Sequence, residues 1–260
     1  MCRYMGGKGR IGRFISEKIK EIEEKNEIKT ESYFEPFVGM CGVMRHIPND
    51  KPKIACDYNE DIVNLWRECQ NGWEPPTYLS KENREIIKTQ KSSALRCFAS
   101  HGTSFGGICW GSYIGNYNKG LEHIKTSSES IVRVTKMIKD VQFLDSRSYL
   151  DFSPKNSTIY CDPPYVTARK STLSVENFKG FNHEEFWDVM RKWVYDGNIV
   201  IVSEYTAPSD FVCVWEKKLS LAIIRNRYNG HDRIEKLFVH HSHLGRDESQ
   251  NPKFCQDNES

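Results

Sequence analysis

Strand-like and helix-like segments alternate along most of this chain, and that rhythm confines the fold more than any other feature. Behind a glycine-rich opening, Ile11, Ile15, Ile19 and Ile22 recur at helical spacing among lysines and glutamates, which predicts an amphipathic helix to about Lys29. SYFEPFVG at 32–39 reads as a strand ending in glycine, GVMRHI as a short helix and KIACDYN as a second strand. DIVNLWREC then makes a second helix with Ile62, Leu65, Trp66 and Cys69 on one side. Strands that alternate with helices are joined by crossovers, so the expected architecture is an α/β parallel sheet with helices on both faces. The rhythm breaks at residues 73–130 and then resumes. A helix carries Ile131, Val134 and Ile138, the strands VQFLD and TIYCD follow, HEEFWDVMRKWVY is capped by Asn182 with Glu185 three residues later, and NIVIVSEY is a further strand. Two last β-type runs, DFVCVWEKKLSLAII and RIEKLFVHH, joined by RNRYNGHD, suit an antiparallel hairpin at the sheet edge.

The 260 residues suffice for a real core, which sets aside a small stapled scaffold. A formal net charge of +2 means that any attraction to nucleic acid must come from local basic patches. Nine scattered cysteines, with no C-x-x-C pair, read as reduced thiols and not as a disulfide framework or a zinc site. No apolar run is long enough to cross a bilayer. An intracellular, cytoplasmic protein is expected, in a bacterial, phage or viral setting.

Chemistry concentrates at the ends of predicted strands. In FEPFVGMCG a strand runs into Gly39 and Gly42, where backbone can pass close to a ligand, and Asp57 closes the next strand about twenty residues on. A carboxylate there can accept hydrogen bonds from both ribose hydroxyls of a nucleoside. No G-x-x-x-x-G-K-[ST] is present, and GGKGRIG at 6–12 follows no strand, so a nucleoside cofactor lacking phosphates fits best.

STIYCDPPY, residues 157–165, ends a strand in an acid, two prolines and a ring. An exocyclic amine on a heterocycle is a poor nucleophile because its lone pair is delocalised. Acceptors placed on its two hydrogens localise that pair. Asp162 offers one, and the Pro163 carbonyl offers the other, its direction restricted by Pro164. Tyr165 gives a flat face for a base flipped out of a duplex.

These motifs, in the order RYMGGKGR, FEPFVGMCG, ACDYNEDIVNLW and YCDPPY, resemble the Dam-like (class alpha) adenine-specific DNA methyltransferases over nearly the whole chain. The resemblance implies a Rossmann-like S-adenosylmethionine-dependent methyltransferase sheet in residues 1–72 and 131–260, with a small, mainly helical target-recognition insert at 73–130. S-adenosylmethionine is the implied methyl donor, S-adenosylhomocysteine the product, and no metal takes part. By position, Tyr4 and Lys8 flank the methionine part of the cofactor, Phe37 and Gly39 form the loop beneath it, and Asp57 binds the ribose. Gly7, Glu35, Tyr58 and Asp145 complete the cofactor-binding set, and Asp162 faces both donor and amine. Asp162, Pro163, Pro164 and Tyr165 form the catalytic set. Tyr4-Met5 and Met40-Cys41 depart from the tryptophan-alanine and small residues usual in relatives. Direct displacement on a sulfonium needs no enzyme nucleophile, so no cysteine is assigned to catalysis.

Duplex DNA is the expected partner, read by the insert. Arg84, Lys88, Lys91 and Arg96 are expected at phosphates, and Tyr113, Asn116, Tyr117, Asn118 and Lys119 in a loop able to enter a groove or fill the gap left by a flipped base. Arg169 and Lys170, just after the catalytic motif, are further candidates for phosphate contact. A cognate restriction endonuclease is compatible with this reading, and the protein is expected to be a monomer or weak dimer. HHSH at 240–243 is not read as a metal site, since no acid or cysteine partner is evident nearby. Two alternatives stay open: methylation of another planar amine (cytosine, an RNA base or glutamine), and a catalytically silent DNA-binding relative.

Overall fold

The computed structural model describes residues 4, 6–165, 180–219 and 233–244. It contains one seven-stranded sheet, in the order β3-β2-β1-β4-β5-β7-β6. The strands are β1 (Ser32–Glu35), β2 (Lys53–Ala55), β3 (Val141–Phe143), β4 (Ser157–Cys161), β5 (Ile199–Glu204), β6 (Phe211–Leu219) and β7 (Arg233–His240). The α-helices are α1 (Gly12–Lys25), α2 (Glu60–Gln70), α3 (Lys81–Lys88), α4 (Ala94–His101), α5 (Gly120–Met137) and α6 (His183–Tyr195). The alternation therefore builds the expected Rossmann-like α/β sheet. No helix among the described residues is long and apolar enough to cross a membrane.

By internal packing the chain divides into two compact units, one of Met1–Glu17, Phe34–Phe152 and Ala168–Phe181, the other of Lys18–Tyr33, Ser153–Thr167 and Asn182–Ser260. In the first unit β2 runs parallel to β3, with Lys53 opposite Val141 and Ala55 opposite Phe143. Helix α2 begins at Asn59, whose side chain accepts the Asp61 N–H, and it buries Ile62, Leu65, Trp66 and Cys69, the face that its spacing predicted. Ser80 and Ser93 cap α3 and α4 in the same way. Single 3-10 turns, Phe105–Gly107 and Ile114–Asn116, shape the glycine-rich loop that follows α4, and Ser104 and Tyr113 bridge across it. Helix α5 runs through residue 130, so the expected end of the insert falls inside a helix.

In the second unit β4 and β5 lie parallel, Thr158 opposite Ile199 and Cys161 opposite Val202. All their residues are buried, as expected of strands covered on both faces. Strand β7 pairs antiparallel with both β5 and β6, so β6 is the edge and the hairpin folds its second arm inward. The turn expected at 225–232 lies outside the described residues. Helix α6 starts at Asn182, whose side chain accepts the Glu184 and Glu185 N–H groups, and it buries Phe186, Trp187, Met190 and Trp193. At the base of β4, Thr158 bonds to Glu23 and Thr30, and the Glu31 N–H donates to the Asn156 carbonyl.

Candidate functional site

In the first unit the chain leaves β1 at Glu35, which is buried and whose carbonyl accepts the Cys56 N–H. The Val38 N–H returns to the Cys56 carbonyl, so the loop after β1 is laced to the end of β2. Asp57 stands just past that lacing and is buried. One carboxylate oxygen accepts the Gly39 N–H and the other the Asn59 N–H, each at 2.9 Å. Burial raises its pKa from 3.8 to about 6, and the two backbone donors only partly oppose that rise. The Trp66 indole donates to the Gly39 carbonyl at 2.9 Å and holds the loop from the helix side.

Gly39 has φ +48, and a Cβ there would come within 3.4 Å of the Tyr4 ring. The glycine thus serves both a left-handed turn and a close approach. Tyr4 in turn lies against His101 of α4, ring centroids 4.8 Å apart. Lys8 is buried and donates to the Gly6 carbonyl at 3.1 Å, while Gly7 is exposed. Gly12 explains the spacing of GGKGRIG: a Cβ at this position would sit 1.8 Å from the Gly42 carbonyl oxygen, so only glycine lets the two loops touch. Cys41, one of the departures from the family pattern, adopts φ 52 and is fully buried, which pushes its thiol pKa well up. Phe37 joins Tyr149 and Phe181 in an aromatic group with centroid separations of 5.4 to 6.2 Å. Tyr58 is exposed, and Asp145 is exposed and paired with Arg67 at 2.7 Å, which lowers its pKa.

The insert corrects two expectations. Arg84, expected at phosphates, is buried: its guanidinium donates to the Ala99 and Gly111 carbonyls, to Ser104 Oγ and to Glu85. Tyr113, expected in the DNA-reading loop, is also buried, with its hydroxyl on the Leu79 carbonyl at 2.5 Å. Both hold the insert together, because backbone carbonyls left bare by the irregular loop need donors. Arg96 pairs with Asp61, while Lys88 stays exposed with its ammonium 5.7 Å from the centre of the Trp110 ring. Asn116, Tyr117, Asn118 and Lys119 are exposed. Phe105, which composition did not single out, is half exposed and lies 5.7 Å from the Tyr117 ring. Arg169 and Lys170 lie outside the described residues.

In the second unit Asp162 follows β4 directly and is half-buried, with Pro163 buried behind it. Tyr165 is buried. Its hydroxyl lies 2.8 Å from Ser203 Oγ and donates to Glu235 Oε2 at 2.9 Å, and its ring meets Tyr205 edge-on at 4.7 Å. Burial, with Asp162 and Glu235 adding to it, drives the phenol pKa well above 10. The histidine stretch forms the end of β7 and a 3-10 turn, His241–His243, instead of continuing the strand. An acid does lie nearby, contrary to expectation: the Asp210 carboxylate is 3.8 Å from His240 Nε2, and the Asp210 carbonyl accepts the His241 N–H at 2.9 Å. Its carboxylate is held by Arg191 at 2.6 and 3.0 Å, which makes the cluster a brace of the hairpin.

The strand order 3-2-1-4-5-7-6, with β2 parallel to β3, β4 parallel to β5 and β7 antiparallel to both β5 and β6, is that of the Rossmann-like methyltransferase fold. The particular family follows from sequence. The chain belongs to the D12 class N6 adenine-specific DNA methyltransferases, whose sequence profile matches residues 4–236. It is also 25% identical over 208 residues to the DNA adenine methylase of Haemophilus influenzae, covering 71% of this chain and 68% of that protein. Among solved structures it is similar to TrmN from Thermus thermophilus, with TM-score 0.37 and 11% identity, over 88% of this chain and 48% of that one. A conserved hypothetical protein of Streptococcus pyogenes aligns with TM-score 0.34 and 7% identity, over 82% of this chain and 88% of that one.

Proposed function

We propose that this chain moves a methyl group from S-adenosylmethionine to the N6 amine of an adenine swung out of duplex DNA, at a specific sequence. The observation that carries this reading is the acid-proline-proline-tyrosine run beginning at Asp162, set on a fully buried strand inside a D12-family chain. A rigid strand end holds acceptors in fixed directions, which flexible loops do not.

The cofactor-binding set suits a nucleoside carrying hydroxyls. Each Asp57 oxygen accepts one backbone N–H and keeps lone-pair capacity for a ribose hydroxyl. Gly39 brings its backbone close to the Tyr4 ring, leaving no side chain on the loop at that point. Tyr4, Lys8, Gly39 and Asp57 would hold the donor, with Gly7, Glu35, Phe37, Tyr58 and Asp145 around them. The bound donor supplies an electrophilic sulfonium methyl. Asp162 and the Pro163 carbonyl accept the two amine hydrogens, so the nitrogen lone pair turns toward the methyl carbon. After transfer the Asp162 carboxylate is the base available for the departing proton. Tyr165 orients the adenine plane. Lys88, Asn116, Tyr117, Asn118 and Lys119 contact the duplex, and Arg169 and Lys170 its phosphates.

The test incubates duplex DNA with the protein and S-adenosylmethionine and then analyses the released nucleosides by mass. N6-methyladenine made by the parent and absent with Asp162→Ala is expected. Methylcytosine, labelling of RNA alone, or equal background from both proteins refutes the proposal.

A further inference from the structure

Stacking explains an aromatic residue at position 165 but not its hydroxyl. That hydroxyl reaches a carboxylate 70 positions away in sequence, Glu235 on β7, at 2.9 Å, and Ser203 on β5 at 2.8 Å. Glu235 and Ser203 are themselves buried, at 4% and 1% exposure. A buried acid costs stability unless it is well bonded, so its location behind this one ring asks for a reason. With the phenol holding its proton, Tyr165 donates to Glu235, and Ser203 is left to donate to the phenol oxygen. Donation to a carboxylate is charge-assisted and about twice as strong as a neutral bond. It also moves electron density from the O–H bond into the ring. Adenine gains positive charge as its amine takes the methyl group, and an electron-rich aromatic face attracts a cation more strongly than a neutral plane.

Resting on the methyl-transfer reading above, we propose that Glu235 is a positioning residue that acts through the Tyr165 hydroxyl. It fixes the ring with Ser203 and enriches it, favouring the charged transition state over the neutral bound base. Glu235 touches no reacting atom in this scheme. Its effect belongs to kcat and not to KM, because the base carries no charge until transfer begins.

Single-turnover methylation by the parent, Glu235→Gln, Tyr165→Phe and the double variant tests this. Glu235→Gln keeps the shape and removes the charge, so kcat falls about three- to tenfold, the range of a cation–π contact, while KM for DNA and cofactor stays within about twofold. Added to Tyr165→Phe, Glu235→Gln causes no further fall, since the hydroxyl that transmits its charge is gone. An unchanged kcat in Glu235→Gln, or an equal fall from it in both backgrounds, overturns the proposal. Should Glu235→Gln fail to fold, Tyr165→Phe alone decides: a lower kcat with unchanged KM supports the link, and full kcat overturns it. A parent protein that makes no N6-methyladenine overturns the proposed function as well, whereas an active parent with an indifferent Glu235→Gln overturns only this inference.

Discussion

Cofactor affinity should depend on pH through one buried carboxylate. Asp57 is buried and titrates near a pKa of about 6 in place of 3.8, because leaving water penalises its charge more than two backbone N–H groups stabilise it. In the proposed complex, only the ionised form can accept from both ribose hydroxyls while keeping the Gly39 and Asn59 bonds. With a pKa of about 6, roughly a tenth of the protein is ionised at pH 5 and about nine-tenths at pH 7. Affinity for S-adenosylhomocysteine should therefore rise about tenfold between those values, about 1.4 kcal/mol, and level off above pH 7. Stability of the free protein runs the opposite way. A carboxyl whose pKa is raised by folding lends stability that is fully present below 3.8 and lost as pH passes about 6, about 3 kcal/mol in all. Calorimetric titration across pH 5 to 8 measures the first effect, and thermal unfolding with and without ligand the second. A flat affinity in the parent, or the same slope retained by Asp57→Ala, refutes the reasoning.

Gly12→Ala should destabilise the protein by about 3 kcal/mol, read as a lower denaturant midpoint, because the new methyl lies 1.8 Å from the Gly42 carbonyl oxygen and both groups are backbone-fixed. A midpoint equal to the parent's would show that the two loops separate freely. Arg84→Ala should likewise lower stability by about 3 kcal/mol, since it strands buried carbonyls and a buried serine. Lys119→Ala, at an exposed position, should leave unfolding within about 0.5 kcal/mol and weaken only DNA binding in a salt-dependent titration.

The sequence by itself determined what local chemistry dictates. Apolar spacing marked the helices, continuous buried runs marked β4 and β5, and glycine and acid at strand ends marked Gly39, Asp57 and Asp162. Each signal spans a few residues and depends on backbone geometry that every chain shares. The interior destination of polar side chains was not legible. Arg84 and Tyr113 have the composition of a DNA-binding surface, yet they turn inward to satisfy carbonyls of a loop whose path no periodicity predicts. Gly12 reads as part of a flexible glycine run until the Gly42 carbonyl is found against it. His101 on the Tyr4 ring and Glu235 behind Tyr165 join residues far apart in the chain. Tertiary structure alone decided those pairings, because a buried hydrogen bond depends on which strands and loops become neighbours. That choice is made by the packing of the whole sheet, and no stretch of sequence carries it.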